Sequence, residues 1–527
     1  MPRAAPLGDR LVLERAGVNR GRLSDAAVWH RHRAYYDRGG LEPWTTKAVP
    51  THAPSNAYMA AAYVRVVARF VRACLALPPD HPLAIAPGRP VHVVELGAGT
   101  GRLGHLFVRL LDEWQRSAGL ALPPIRYVLT DLAEASLTAW QRNPRLAAGF
   151  AAGTLDRARF DLARDEAIVL AEAGTRLDAG AAGPLIVLAT YVFDSLPADV
   201  FRIRDGRLEE GLVDLALDRG AAPHVELGCE FAPADAPYGD SELDDLLAGY
   251  AARLGDAAML FPVGAIDALR RLDRLSGGRL LILTCDKGAV DPAALHGCAL
   301  PTLAVHGEAV SASLNFDALI QLVRGRGGFA LTTRERGTQL QVVGLGLGAA
   351  APPNELRLAF VEAFDCVGPI DVFHVVLDAL PAVTTLAQCV ALIRLANDDP
   401  WVVQAIAPRL ATVIAGAPAD ELARLRRSLR RALTLHLPIE DGDDLFFEIG
   451  HLFAAMSRFG EAEPLFQASL EHHGPHAVTY FNLAICRAEQ GALAEAIRLL
   501  DTCLALEPDF AQGREWRLRF VSELGAT

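Results

Sequence analysis

The sequence has 527 residues, enough for about three folded units at roughly 100–200 residues each. It is 51% apolar and 22% charged, which excludes wholesale disorder. Its 51 Lys+Arg against 63 Asp+Glu leave a net charge of −12, a balance that argues against a general nucleic-acid backbone binder. The acidity is unevenly placed: from Ala351 to the end, 14 Arg and no Lys face 24 Asp+Glu, so this stretch carries −10 and the rest carries −2. Eight cysteines, at Cys74, Cys229, Cys285, Cys298, Cys366, Cys389, Cys486 and Cys503, show no C-x2-C spacing. That predicts reduced thiols and no zinc site. The first residues lack the apolar run of a signal peptide, and no segment reaches the ~20 apolar residues that span a bilayer. The expectation is a soluble cytoplasmic protein that binds neither membrane nor nucleic acid.

In chain order, residues 1–56 read as an N-terminal arm, loop-rich from Trp29 to Pro50 and carrying Tyr35, Tyr36 and Trp44. Tyr35, Tyr36, His52 and Asn56 could fold over a ligand as a lid, or simply pin the arm to the next domain. Ala57 to Leu77 has the period of one amphipathic helix. From Val91 to about Gly348, short apolar runs alternate with helical periods: Val91–Leu96, Ile125–Thr130, Leu185–Ala189, Arg279–Thr284, Phe329–Thr333 and Gln339–Gly344, with a weaker run ending at Phe160. This predicts an α/β domain over 57–348 with a Rossmann-like parallel sheet of six or seven strands.

The stretch 190–278 is an insertion far longer than the few residues usual between such elements, and it suits a substrate-shaping excursion. Within it, Asp199-Val-Phe-Arg-Ile-Arg and Arg207-Leu-Glu-Glu-Gly-Leu-Val-Asp flank Asp205-Gly206, a hairpin signal. Pro352-Pro353 marks a boundary, after which the pattern is helical. Phe446, Ile449, Gly450, Ala462, Phe466 and Ser469 recur 34 residues later as Tyr480, Leu483, Ala484, Ala496, Leu500 and Cys503. Residues 444–527 thus resemble tetratricopeptide repeats, with small residues where two helices cross. Residues 354–443 would supply degenerate helical repeats that complete the array. The acidic tail would favour a basic partner, or serve only solubility. The run Arg424, Arg426, Arg427, Arg430 and Arg431 reads as a partner for neighbouring acids.

The most informative local sequence is Val91-His-Val-Val-Glu-Leu-Gly-Ala-Gly-Thr-Gly-Arg-Leu-Gly104, a strand, a glycine turn and a helix start. It fits both the dinucleotide G-x-G-x-x-G pattern and the E/D-x-G-x-G-x-G pattern of S-adenosylmethionine (SAM) enzymes. Glu95 favours SAM, since a carboxylate before the loop would repel a pyrophosphate but suit the ammonium and sulfonium charges. The loop residues Gly97, Ala98, Gly99 and Gly101 would approach the cofactor through backbone. Asp131, ending the next strand, suits two ribose hydroxyls or a local cap. Asp161 could accept from the adenine amino group with Phe160 against the ring, or be a surface acid.

Residues 50 to 348 resemble the class I SAM-dependent methyltransferases. Leu188-Ala-Thr-Tyr-Val-Phe-Asp-Ser-Leu-Pro197, the hairpin after it, and Ser311-Ala-Ser-Leu-Asn-Phe-Asp-Ala-Leu319 resemble segments of the MidA family, N-E-x-x-D-A-L-P among them. The resemblance implies a seven-stranded sheet, SAM at the C-terminal ends of the first strands, and a macromolecular substrate, the family's activity being protein-arginine methylation during respiratory complex I assembly. Thr190-Tyr191 stand where that family has Asn-Glu, so the carboxylate that would orient a guanidinium is absent.

Methyl transfer mainly requires alignment and exclusion of water, with a base only for a protonated nucleophile. Thr190, Tyr191 and Asp194 are the candidates lining the acceptor side, with Asp194 orienting substrate or forming a turn. Asp286-Lys287-Gly288, after the fifth strand, reads as a turn or a substrate-facing segment. The expected function is methyl transfer to an N or O nucleophile on a protein or carrier-bound substrate recruited by the repeats. The alternatives are a small-molecule methyltransferase with repeats for oligomerisation, or a non-catalytic scaffold.

Overall fold

The computed structural model describes residues 20–526, apart from 47, 50–54, 87, 180–182, 219, 221–222, 298, 301, 335–339 and 440–441; His52 and Cys298 lie outside the described residues. The chain forms two compact units. The first takes residues up to Pro54, Ala62–Gly104 and Leu111–Gly368, and the second takes Ser55–Ala61, His105–Leu110 and Pro369–Thr527.

The first unit is built on β1 (Val91–Leu96), β2 (Ile125–Asp131), β3 (Leu155–Arg159), β4 (Leu185–Thr190), β5 (Leu280–Ala289), β6 (Phe329–Thr332) and β7 (Leu340–Leu347). They lie in the order β6-β7-β5-β4-β1-β2-β3, and the two-residue strand Leu314–Asn315 pairs with β5. All neighbours are parallel except β7, which runs antiparallel to both β5 and β6. The parallel strands read as continuous apolar runs because helices cover both faces, and all of Leu185–Ala189 is buried. β5 departs from expectation. It continues past Thr284 to Ala289, so Asp286-Lys287-Gly288 lies within the strand and not at a turn. Pairing of Lys287 with Leu340 and of Gly288 with Leu314 holds it extended.

The insertion makes a second, six-stranded sheet in the order Ala257–Phe261, Asp199–Arg204, Arg207–Asp218, His224–Pro233, Leu303–His306, Ala309–Ala312. Asp205 (φ 50°) and Gly206 (φ 71°) both take left-handed backbone, the turn that matches the twist of a two-residue hairpin. The last two strands come from beyond the insertion. Against this sheet packs α1 (Ala27–Gly39), where the sequence predicted loop. Its buried Val28 and Trp29 join Val200, Val213 and Val310 in one apolar cluster, and the Val310 N–H donates to His32 Nδ1 at 3.1 Å. Tyr35 lies against the turn at Gly307, where a Cβ would sit 2.8 Å from its hydroxyl. The helix α2 (Ala57–Leu75) follows, with Asn56 capping it through the Met59 N–H at 2.8 Å.

In the second unit, helices occupy Pro369–Ala379, Leu386–Leu395, Pro400–Val413 and Ala419–Leu435, then Leu445–Ala455, Phe459–His473, Ala477–Glu489, Leu493–Leu506 and Ala511–Ala526. The repeated positions fill its core: Ile449, Ala462, Phe466, Ala484, Ala496, Leu500 and Cys503 are all fully buried. A Cβ on Gly450 would stand 3.0 Å from the Phe466 ring, which explains a glycine where two helices cross. Arg426 and Arg430 pair with Glu461, and Arg431 pairs with Asp398, so the basic run is largely spent on neighbouring acids. Among the described residues, no helix is long and apolar enough to cross a membrane.

Candidate active site

β1 ends at Leu96, and the chain turns through Gly97-Ala98-Gly99-Thr100-Gly101 into α3 (Arg102–Ala118). The three glycines have φ of 61°, 52° and 76°, a region that side chains enter only with strain, so the alternation of glycines is required by the turn itself. Two bonds fix the loop: the Ala98 N–H donates to the Thr130 carbonyl at 2.8 Å, and the indole N–H of Trp140 donates to the Gly99 carbonyl at 2.8 Å. At Gly104 a Cβ would come within 2.5 Å of Leu129, so that glycine serves close packing of the helix on β2.

Glu95 lies beneath this loop. Its carboxylate accepts from the Tyr127 hydroxyl at 2.9 Å, and its carbonyl accepts from the Thr130 hydroxyl at 2.7 Å. Burial, helped by the charge of Asp131, pushes its carboxyl up to about 8 against the opposing hydrogen bonds from Tyr127 and Gly104. Beside the loop, Asp131 accepts from the Gly99 N–H at 3.3 Å and the Ala133 N–H at 3.0 Å. Burial raises it to about 6, and those N–H groups restrain the rise. The two acids that the sequence singled out at the ends of β1 and β2 are thus both tied to the glycine loop.

Phe160 is buried in the core of the sheet. Asp161 is engaged elsewhere: the Arg33 guanidinium of α1 donates to both of its oxygens, and the Ala163 N–H donates to one at 3.1 Å. Burial alone would raise the Asp161 carboxyl, but the bonds and charge of Arg33 outweigh it and hold it low. The arm also roofs the loop. Trp44 lies where a Gly99 Cβ would come within 2.9 Å of its ring, and Tyr36 stacks on Trp44 with centroids 5.5 Å apart. Tyr36 feels the charges of Asp194 and Asp131, which, after burial, raise its hydroxyl pKa. Sequence reasoning named Tyr36 and Trp44 but missed Arg33, whose partner is 128 residues away and leaves no local signal.

On the other side of the loop, the Thr190 hydroxyl lies 3.3 Å from that of Tyr63, a fully buried residue of α2. Tyr191 takes φ 56°, unusual for a side-chain-bearing residue, with its N–H on the Cys285 carbonyl at 3.0 Å. That kink starts the short turn Phe193–Ser195, which places buried Asp194 next to fully buried Asp286 of β5. Thr190, Tyr191, Asp194 and Asp286 therefore gather at the C-terminal edges of β4 and β5, adjoining the glycine loop of β1. Backbone left bare by left-handed glycines, an acid at the end of β2 and an aromatic roof fit a nucleoside cofactor.

Residues 82–286 match the model of the family described as "Putative S-adenosyl-L-methionine-dependent methyltransferase", and residues 453–516 match the tetratricopeptide-repeat model. The chain joins a methyltransferase-family domain to tetratricopeptide repeats. SAM is the cofactor that this family implies, and the glycine loop, Glu95 and Asp131 of the methyltransferase domain all lie inside the matched stretch. The repeat region is 32% identical over 78 residues to mouse tetratricopeptide repeat protein 8, a match spanning 15% of this chain and 15% of that protein. Among solved structures, an uncharacterised superfamily protein from Burkholderia thailandensis is 14% identical, with TM-score 0.35 over 62% of this chain and 94% of its own. A second superfamily member from that organism, solved with S-adenosyl-homocysteine bound, is 13% identical, with TM-score 0.34 over the same shares. Likeness at that level does not bear on function.

Proposed function

We propose that the protein is a SAM-dependent methyltransferase that transfers a methyl group to an N or O nucleophile on a protein held by its repeats. The observation that carries this reading is the loop of three left-handed glycines, with Glu95 bonded beneath it and Asp131 beside it, at the C-terminal edge of a parallel sheet whose last strand is antiparallel. In such sheets, ligands bind outside the carboxyl ends of the strands where the order reverses, here between β1 and β4.

SAM, when bound, supplies an electrophilic methyl group on a sulfonium that leaves as a neutral thioether. The chain's own residues bind, orient and exclude water. The N–H groups of the loop and the Asp131 carboxylate hold the nucleoside end, while Tyr36 and Trp44 shield the loop from solvent. Thr190, Tyr191 and Asp194 line the approach of the nucleophile. Asp161, clasped by Arg33, acts in holding the arm down; contact with an adenine amino group would require that clasp to open. The −10 charge of the C-terminal stretch favours a basic protein partner, and a reducing, cytoplasmic setting suits its free cysteines.

A scaffold reading draws on one observation, the arm lying across the glycine loop. Calorimetric titration of the full chain with SAM and S-adenosylhomocysteine separates the two. Binding of both supports the enzyme, and binding of neither supports the scaffold. Deleting 354–527 tests recruitment, since undiminished methylation of a lysate protein would contradict it.

A further inference from the structure

Asp286, which the sequence places in a turn or a substrate-facing segment, has unusual surroundings. The Phe193 N–H and the Thr284 hydroxyl both donate to Oδ2, at 3.3 Å and 3.0 Å. Oδ1 is buried and, among the described residues, receives no donor. Next to it stands Asp194, also buried, in the turn Phe193–Ser195 whose first N–H reaches Asp286. Two adjacent buried carboxylate charges are too costly to coexist, and an Oδ1 with no donor among the described residues has room to share a proton with its neighbour. The residues facing the pair are Tyr36 from the arm, Tyr191 at the kink, Tyr63 from α2, Cys285 and Lys287 on β5; Lys287 is the one cation among them.

We propose that Asp194 and Asp286 hold one shared proton at rest, release it when a sulfonium charge is brought to the site, and so make Asp194 the base for the methyl acceptor. The idea rests on the methyltransferase reading above. Asp194 faces the acceptor and is the catalytic member; Asp286 is a positioning residue that acts through it. In the balanced step, the acceptor lone pair forms a bond to the methyl carbon and the carbon–sulfur bond breaks, its electrons going to sulfur. The acceptor's proton passes to Asp194 Oδ, and the pair returns to its one-proton state beside a neutral thioether. Burial supports this, since it raises both carboxyls; the charge of Asp194 raises Asp286 further, while Lys287 and Asp286 restrain the rise of Asp194. Such a carboxylate is basic enough to take a proton near neutrality, as an ordinary aspartate is not.

Two measurements on the full chain test the proposal. Infrared difference titration of the free protein should show a protonated-carboxyl band that persists above the range where ordinary aspartates ionise. Because Glu95 is also raised, the band is read in Glu95→Gln and above the range where Asp131 ionises, where it should persist; it should be lost when Asp194→Asn or Asp286→Asn is added to that background. A band that survives either aspartate substitution overturns the shared proton. Calorimetry in buffers of differing ionisation enthalpy should show SAM binding with release of more protons than S-adenosylhomocysteine, and the difference should vanish in Asp194→Asn. Equal proton release by both ligands in the wild-type protein overturns the arming step while leaving the cofactor site standing. Absence of any binding refutes the methyltransferase reading itself, while the infrared result still decides the shared proton.

Discussion

Replacing Glu95 with Gln tests whether this carboxyl is a buried, protonated strut under the glycine loop. Its ordinary value is 4.5 and the fold raises it to about 8. Between those values the unfolded chain loses the proton while the native protein keeps it, so this group makes stability fall as pH rises. At about 1.4 kcal/mol per pH unit, the cost is absent below the unfolded value and reaches about 3 kcal/mol at pH 7; it levels off above about pH 8, where both states are ionised. Gln carries no such proton. Its buried amide adds an offset of roughly 1–3 kcal/mol that does not change with pH. Asp194 and Asp286 titrate in both proteins and cancel in the difference, whereas the charge of Asp131 is part of what raises Glu95 and its effect goes with that group. Urea unfolding of wild type and Glu95→Gln at about pH 5, 7 and 9, followed by tryptophan fluorescence, should therefore show the variant gaining on the wild type as pH rises. Stability–pH curves that stay parallel across this range would refute the protonated strut and put an ionised Glu95 in its place.

Other substitutions probe the remaining parts of the account. Gly99→Ala forces a side chain into φ 52° with its Cβ 2.9 Å from Trp44; strain of about 1–2 kcal/mol should weaken S-adenosylhomocysteine binding tenfold or more by calorimetry, and unchanged affinity would count against the loop as its site. Arg33→Ala leaves buried Asp161 with only Arg164, at 3.8 Å, and removes the bonds that tie it to the arm, so the arm should become cleavable around Tyr36 in limited proteolysis with a loss of about 1–3 kcal/mol; wild-type resistance would mean that the clasp does not hold the arm. Gly450→Val drives a branched side chain into the Phe466 ring and should cost the repeat unit about 1–3 kcal/mol in circular-dichroism melts without altering cofactor affinity.

The central sheet was legible because its parallel strands are buried on both faces and leave unbroken apolar runs such as Leu185–Ala189. The repeats were legible because stacked helix pairs impose one period on small and large residues together. β5 was truncated in the sequence reading for a physical reason. Its continuation, Cys285-Asp-Lys-Gly, carries an acid and a base where an apolar strand is expected; Lys287 is exposed, and an acid such as Asp286 is buried only where a site requires it. The arm helix was missed because α1, Ala-Val-Trp-His-Arg-His-Arg-Ala-Tyr-Tyr-Asp-Arg-Gly, is mostly polar or aromatic and draws its stability from the insertion's sheet. The glycine loop, Glu95 and Asp131 announced themselves through local spacing. Arg33 on Asp161 and Asp286 beside Asp194 did not, since 128 and 92 residues separate those partners and only the folded sheet brings them together.

The most direct measurement is calorimetric titration of the full-length wild-type protein with SAM, S-adenosylhomocysteine and NAD. The account predicts saturable binding of the first two at one site per chain, lost or much weakened in Gly99→Ala, and no binding of NAD. Failure of the intact protein to bind SAM and S-adenosylhomocysteine, or a preference for NAD, would contradict it.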